Sequence, residues 1–125
     1  MKVNIFYHHT DAGGVVYYGR YLSFLEEART EFLAQKGLSV KDLIQEGTLF
    51  VVARQEIDYK LPVFYADTLT INARLVNTSA VKLEFEYDIK NQRDQVTTKA
   101  KTILVCVDKN LKPKAIPEEI RKKIT

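Results

Sequence analysis

Residues 7–33, YHHTDAGGVVYYGRYLSFLEEARTEFL, are the most informative for the architecture because they join a short strand to the longest helical pattern in the chain. From about Val15 or Tyr18 to Gln35, large apolar side chains recur at spacings of three and four, which predicts a helix. These side chains are Tyr21, Phe24, Leu25, Ala28, Phe32 and Leu33. Because they are so many, we expect the helix to be mostly buried, with Arg29 paired to Glu27 or to a backbone carbonyl.

The segments on either side of this helix read mainly as strands. Residues 2–7 form a short strand, Gly37 ends the long helix, and Ser39 caps a second helix that stops at Gly47. Alternating or continuous apolar patterns then predict strands at 49–61, 69–76, 81–89 and 96–108, the last of them central. A short helix beginning near Pro117 follows. We therefore predict one α+β domain over residues 1–125, an antiparallel sheet wrapped around one long helix.

Composition excludes several classes of protein. The 125 residues are 46% hydrophobic, yet no apolar run approaches the roughly 18–20 residues of a membrane helix. The start, MKVNIFYHH, lacks the apolar stretch of a signal peptide. Cys106 is the only cysteine, which fits the reducing cytoplasm. The 19 basic residues are scattered among 16 acidic ones, so we expect no nucleic-acid partner.

The loop of small residues before the helix carries one carboxylate, Asp11, followed by Ala12, Gly13 and Gly14. The first N–H groups of the helix lack partners within it, and they can stabilise an oxyanion. An acid beside such amides suits attack on a carbonyl, with Asp11 as nucleophile or as general base. The alternative is structural, because Asp in a glycine-rich loop commonly forms an Asx turn.

Two motifs resemble the 4-hydroxybenzoyl-CoA thioesterase-like family, and most closely its branch of Tol–Pal-associated acyl-CoA thioesterases. The first is T-D-A-G-G-V-V-Y-Y-x-R-Y-L-x-F-x-E-x-A-R from Thr10, and the second is I-D-Y-K-L-P-V-F-Y-A-D-T-L-T-I at residues 57–71. This resemblance implies the hot-dog fold and a homodimer or dimer-of-dimers tetramer, with an active site between subunits. It also implies acyl-CoA thioester substrates and no metal or organic cofactor. We predict a small or medium acyl group, although the sequence leaves aliphatic, aromatic and carrier-protein-bound thioesters open.

The resemblance assigns roles to individual positions. Asp11 matches the catalytic aspartate and Tyr18 the position whose backbone N–H polarises the thioester carbonyl. The branch commonly has His where this chain has Tyr18, so an acid–base role for that side chain is lost. Substrate contacts are implied at further positions: Tyr17 and the acyl-pocket segment Phe50, Val51 and Val52, and Ser79 and Lys82 for the CoA phosphates.

Other functions are weighed against this one. A metal site at His8 and His9 is disfavoured because adjacent strand residues point to opposite faces. No G-x-S-x-G motif indicates a serine hydrolase, and the long helix lacks the histidine of a hot-dog dehydratase. A non-catalytic acyl-CoA-binding or assembly module of the same fold remains the alternative.

Overall fold

Five strands form one antiparallel sheet in the computed structural model, which describes residues 1–125. The elements in chain order are β1 (Lys2–Asn4), a 3-10 turn (Tyr7–His9), α1 (Arg20–Gln35), α2 (Val40–Gln45), β2 (Leu49–Tyr59), β3 (Thr68–Thr78), β4 (Lys82–Lys90), β5 (Val96–Val107) and α3 (Glu118–Ile124). The sheet order is β1-β3-β4-β5-β2, and α1 packs against β3. The prediction of an α+β fold with an antiparallel sheet around one long helix is confirmed. No helix is long and apolar enough to cross a bilayer.

Strand β4 shows why the sheet has one buried face. Its alternate residues Leu83, Phe85, Tyr87 and Ile89 are all buried. The residues between them point outward into an ionic ladder, in which Asp88 lies 2.9 Å from Arg74 of β3. The alternation therefore predicted this strand correctly, and β5, flanked by β4 and β2, is internal as expected.

Helix α1 differs from its prediction in two ways. It begins at Arg20, because Val16 is held extended by its bridge to Thr10 and by donating its N–H to Val63 O, and Tyr18 and Gly19 then form a turn. The expectation of a mostly buried helix is also wrong. Only one face is buried, at Tyr21, Phe24, Leu25, Ala28 and Leu33, while Leu22 is 51% exposed.

The predicted first strand is shorter than residues 2–7. β1 ends at Asn4, and the 3-10 turn then redirects the chain through a bond from Thr10 N to Tyr7 O. At the other terminus, Pro117 is the residue that precedes α3 rather than its first helical residue. Ser39 accepts a bond from Asp42 N and caps α2 as predicted.

The C-terminal end of α1 gives the first testable prediction. Gly37 has φ +81°, a left-handed conformation that a side chain strains. We expect Gly37→Ala to lower the free energy of unfolding by about 1 kcal/mol. Urea denaturation measures it, with Gln35→Ala, exposed in the last turn, as a control that stays within about 0.5 kcal/mol. Equal stability of wild type and Gly37→Ala would contradict the strain at this position.

The sheet has two ends that matter for the site. At one end, here called the loop end, Tyr59 of β2 pairs with Thr98 of β5. At the other, here called the turn end, Val51 of β2 and Lys82 of β4 both pair with Val105 of β5. Thr98 and Val105 are seven residues apart, which is about 24 Å along an extended strand. Groups at the two ends of one chain therefore cannot contact the same small molecule fragment.

Candidate active site

The loop that carries Asp11 is a tight turn between two short extended arms. Asp11 N donates to Val15 O at 2.9 Å, and Gly14 N donates to Asp11 O at 3.0 Å. Gly14 has φ +80°, which only glycine adopts without strain. Below the tip, Thr10 bridges Val16, and Val15 bridges Phe64, so the loop is anchored near the loop end of the sheet.

The Asp11 carboxylate is exposed and half engaged. Its Oδ1 accepts a 2.8 Å bond from Gly13 N, so the Asx turn weighed from the sequence is present. Its Oδ2 accepts no bond from the chain and has no cation within salt-bridge distance. One oxygen therefore holds the turn, while the other is available to an external group.

The Tyr18 amide lies just before α1 rather than in its first turn. The neighbouring Tyr17 N–H is occupied by His9 O at 2.9 Å, whereas the N–H groups of Tyr18 and Gly19 donate to no acceptor in the chain. Both free donors stand at the positive end of the α1 dipole. The predicted donor is thus free, although the predicted helix starts, Val15 or Tyr18, lie five and two residues too early.

Aromatic side chains surround this loop. The rings of Tyr17 and Tyr18 lie 4.6 Å apart and both are exposed. Tyr59, which sequence reasoning missed as a neighbour, donates its hydroxyl to Tyr18 O at 3.3 Å. Burial, and then the adjacent Tyr18, raise the pKa of the Tyr59 phenol, so it stays a neutral donor. The sequence signal for this neighbour was the position of Tyr59 at the end of an alternating strand, three residues before Pro62.

Gly19 allows the Tyr17 ring to lie against the backbone. A Cβ at position 19 would be 2.6 Å from Tyr17 Cε2, although φ −69° and ψ −20° suit alanine. We expect Gly19→Ala to displace the Tyr17 ring and separate it from Tyr18, while the free energy of unfolding changes by less than about 0.5 kcal/mol. Tyrosine fluorescence reports this directly, since the chain has no Trp. An unchanged spectrum would contradict the contact.

The predicted acyl-pocket segment lies at the turn end, away from Asp11. Phe50 is half-buried and lines a cleft of about 140 Å³ between α1, α2 and the start of β2. Leu33, Leu43 and Leu104 form its apolar wall. Val51 and Val52 do not line this cleft and are 36% and 52% exposed on the edge strand.

The two predicted CoA contacts also lie at the turn end. Ser79 Oγ accepts a 3.0 Å bond from Lys82 N in the β3–β4 turn, and Ser79 O accepts from Arg121 of α3. Lys82 is exposed beside Glu84 in a surface cavity of about 130 Å³. One chain therefore brings Asp11, Tyr17 and Tyr18 together but keeps the other predicted residues, Phe50, Val51, Val52, Ser79 and Lys82, at the opposite end of its sheet.

Arg29 has a partner that the sequence did not indicate. Its Nη1 donates to the Tyr87 hydroxyl at 3.1 Å, not to Glu27 or a backbone carbonyl. Tyr87 in turn donates to Thr102, and Thr102 donates to Gln55 Oε1 at 2.7 Å. This network crosses the core from α1 to β2 and gives Arg29 a structural role.

Other reactive groups are poorly placed. Cys106 is fully buried, and this burial raises the pKa of its thiol, so it is not an available nucleophile. No three His, Cys, Asp or Glu side chains converge as metal ligands would. The exposed Asp11 carboxylate and the free Tyr18 amide remain the groups that fit attack on a carbonyl.

Comparison with known proteins identifies the family of this chain. Residues 7–124 match the family described as the thioesterase-like superfamily. The acyl-CoA thioester hydrolase YbgC of Escherichia coli is 36% identical over 119 residues, covering 94% of this chain and 89% of that protein. The putative acyl-CoA thioesterase YneP of Bacillus subtilis is 30% identical over 122 residues, covering 94% and 88%. A crystal structure of a hypothetical protein from Aquifex aeolicus superposes with a TM-score of 0.94 at 30% identity, covering 100% of this chain and 98% of that one. The chain therefore belongs to the thioesterase-like superfamily and has its hot-dog fold.

Proposed function

We propose that this protein is an acyl-CoA thioesterase that hydrolyses the thioester of a small or medium acyl-CoA, with Asp11 as the catalytic carboxylate. The observation that carries the proposal is that one anchored loop holds both a free Asp11 oxygen and, at its other end, the free Tyr18 N–H. The family membership and the similarity to the acyl-CoA thioester hydrolase YbgC support the substrate class.

Two routes use these groups. In one, an Asp11 oxygen bonds to the carbonyl carbon, the C–S bond breaks, CoA leaves as a thiolate, and water then hydrolyses the mixed anhydride. In the other, Asp11 takes a proton from water as the water oxygen attacks, and the tetrahedral intermediate expels the same thiolate. In both, the Tyr18 N–H stabilises the oxyanion. A thiolate leaves readily because thiol pKa values are about 8.5, so the missing histidine at position 18 does not block either route.

The complete site is proposed to form between two chains. β2 is an edge strand, and three of its apolar side chains, Val51, Val52 and Tyr59, are exposed. A two-fold dimer in which β2 pairs antiparallel with the partner's β2 puts the loop end of one chain beside the turn end of the other. The acyl contacts Tyr17, Phe50, Val51 and Val52 then approach one thioester. Ser79 and Lys82 are the proposed CoA contacts, and a dimer of dimers is the larger assembly.

The remaining expectations belong to the same proposal. We propose one domain over residues 1–125, no metal or cofactor, and neither a nucleic acid nor a membrane as partner. The protein acts in the cytoplasm, where its single cysteine stays reduced.

Assay of thiol release tests the activity. Purified protein is given short aliphatic, long aliphatic and aromatic acyl-CoAs, and we expect turnover concentrated in one class. The alternative, a non-catalytic acyl-CoA-binding or assembly module, is favoured by the Asx bond that engages Asp11 Oδ1. It predicts saturable binding of acyl-CoA, detected by calorimetry, without release of thiol from any member of the panel.

A further inference from the structure

His9 ties together the two arms of the Asp11 loop. Its side-chain Nδ1 accepts a 2.9 Å bond from Phe6 N, and its backbone N–H donates to Phe6 O at 3.0 Å. Its carbonyl accepts the bond from Tyr17 N at 2.9 Å. Asp11 follows His9 by two residues, and Tyr18 follows Tyr17 directly. His9 is therefore bonded to both arms of the loop, the one that leads to the Asp11 carboxylate and the one that leads to the free Tyr18 amide.

The imidazole is held by its surroundings as well. Its ring packs edge-on against Phe24 of α1 at 5.4 Å and lies 5.9 Å from the ring of Phe6. The His8 ring lies 4.2 Å away. Because Nδ1 accepts a bond from a backbone N–H, this nitrogen carries no proton, and the ring is the neutral tautomer with its proton on Nε2.

We propose that neutral His9 is a positioning residue and that the bond from Phe6 N to its Nδ1, here called the lock, fixes the Asp11 loop. Protonation of Nδ1 breaks this bond. The inference rests on the proposed thioesterase function and adds a pH-dependent control to the same site. A proton on Nδ1 would face the Phe6 N–H, so that two donors oppose each other. The 3-10 turn then loses its side-chain bond, and both Asp11 and the Tyr17–Tyr18 segment lose their fixed position.

The surrounding charges set the direction of the effect. Burial is the main cause that lowers the pKa of His9, followed by the positive charges of His8 in the same turn and Arg20 at the start of α1. The other contacts, Phe6 and Phe24, are uncharged. A lowered pKa favours the neutral form in the folded loop, so the lock is complete above the ordinary histidine value of about 6.5. It is lost as the pH falls through the lower pKa of the folded protein.

Three variants separate this role from a general structural one. Profiles of kcat/KM from pH 5 to 8 are measured for wild type, His9→Asn, His9→Leu and His8→Asn. Asn presents an oxygen where Nδ1 lies but does not titrate, so we expect His9→Asn to keep activity near pH 8 and to lose the acid limb that His9 causes. His9→Leu removes the acceptor and should lower kcat/KM about 10- to 100-fold at every pH.

The control His8→Asn removes only the neighbouring imidazole. We expect it to keep the acid limb and to move that limb to higher pH, because one repelling charge is gone. An acid limb that is the same in His9→Asn and wild type overturns the proposal, as does full activity of a folded His9→Leu.

A second measurement does not depend on activity. The ¹⁵N shifts of the two imidazoles, followed by NMR as a function of pH, report the tautomer and pKa of His9. We expect a bare Nδ1 above pH 7 and a His9 pKa below the ordinary histidine value of about 6.5. A proton on Nδ1 at pH 7.5 refutes the lock even in a highly active enzyme. Conversely, a bare Nδ1 in a protein that releases no thiol leaves the lock intact and refutes the thioesterase function alone.

Discussion

Asp11→Asn is expected to lower kcat/KM for the preferred acyl-CoA by at least about 100-fold, the usual scale for removing a positioned acid–base group. The amide neither attacks the carbonyl nor takes a proton from water. It still accepts the bond from Gly13 N through its oxygen, so the Asx turn and the loop persist. The loss should therefore appear in kcat, with the thermal unfolding of the protein unchanged.

Asp94→Asn is the matched control for this variant. Asp94 is also an exposed loop carboxylate, and its φ of 60° is one that Asn tolerates. It lies in the β4–β5 turn, outside the proposed site, and should keep wild-type kcat/KM. A comparable loss in Asp94→Asn would show that activity depends on the overall charge rather than on the Asp11 carboxylate.

Mixing two inactive chains should restore activity if the site forms between subunits. Phe50→Asp places a charge at the proposed acyl contact and should lower kcat/KM at least 10-fold. Dimers that combine one Asp11→Asn chain with one Phe50→Asp chain carry both defects in one site and none in the other. Refolding an equal mixture makes half of the dimers mixed, so about a quarter of the wild-type activity returns.

A site built from a single chain predicts no recovery of activity in the mixture. If Asp11 and Phe50 of the same chain served one site, the mixed dimers would contain two defective sites. The mixture would then show only the average of the two parent variants. Size-exclusion chromatography of each variant verifies that both still form the same assembly as wild type.

Local patterns were enough to predict most of the fold. The alternation of β4 follows from one buried and one charged face, and Gly37 and Ser39 mark the ends of helices through their own backbone and side-chain chemistry. The exposed position of Asp11 follows equally from the small residues around it.

Contacts distant in sequence account for the errors. The predicted helix began at Val15 or Tyr18, but the bridge of Val16 to Thr10 and its bond to Val63 hold Val16 extended, and Tyr18 lies in the turn that follows. The hydroxyl that binds Arg29 comes from Tyr87, 58 residues away. No local pattern reveals either contact.

The site itself was only half predictable for a further reason. The motif places Asp11 and Tyr18 on one loop, but Phe50 and Lys82 lie at the turn end of the same sheet, which is about 24 Å along β5 from its loop end. In the proposed dimer their relation to the loop depends on a second chain, and a single sequence carries no register between subunits.

The role of Asp11 is tested most directly by the rates of thiol release by wild type and Asp11→Asn, measured side by side on the acyl-CoA that wild type hydrolyses fastest. Circular dichroism of both proteins establishes that they are equally folded. A catalytic carboxylate at Asp11 predicts rapid release by wild type and at least about a 100-fold lower kcat for the variant. Equal rates would contradict it, because the carboxylate of Asp11 would then take no part in the chemistry.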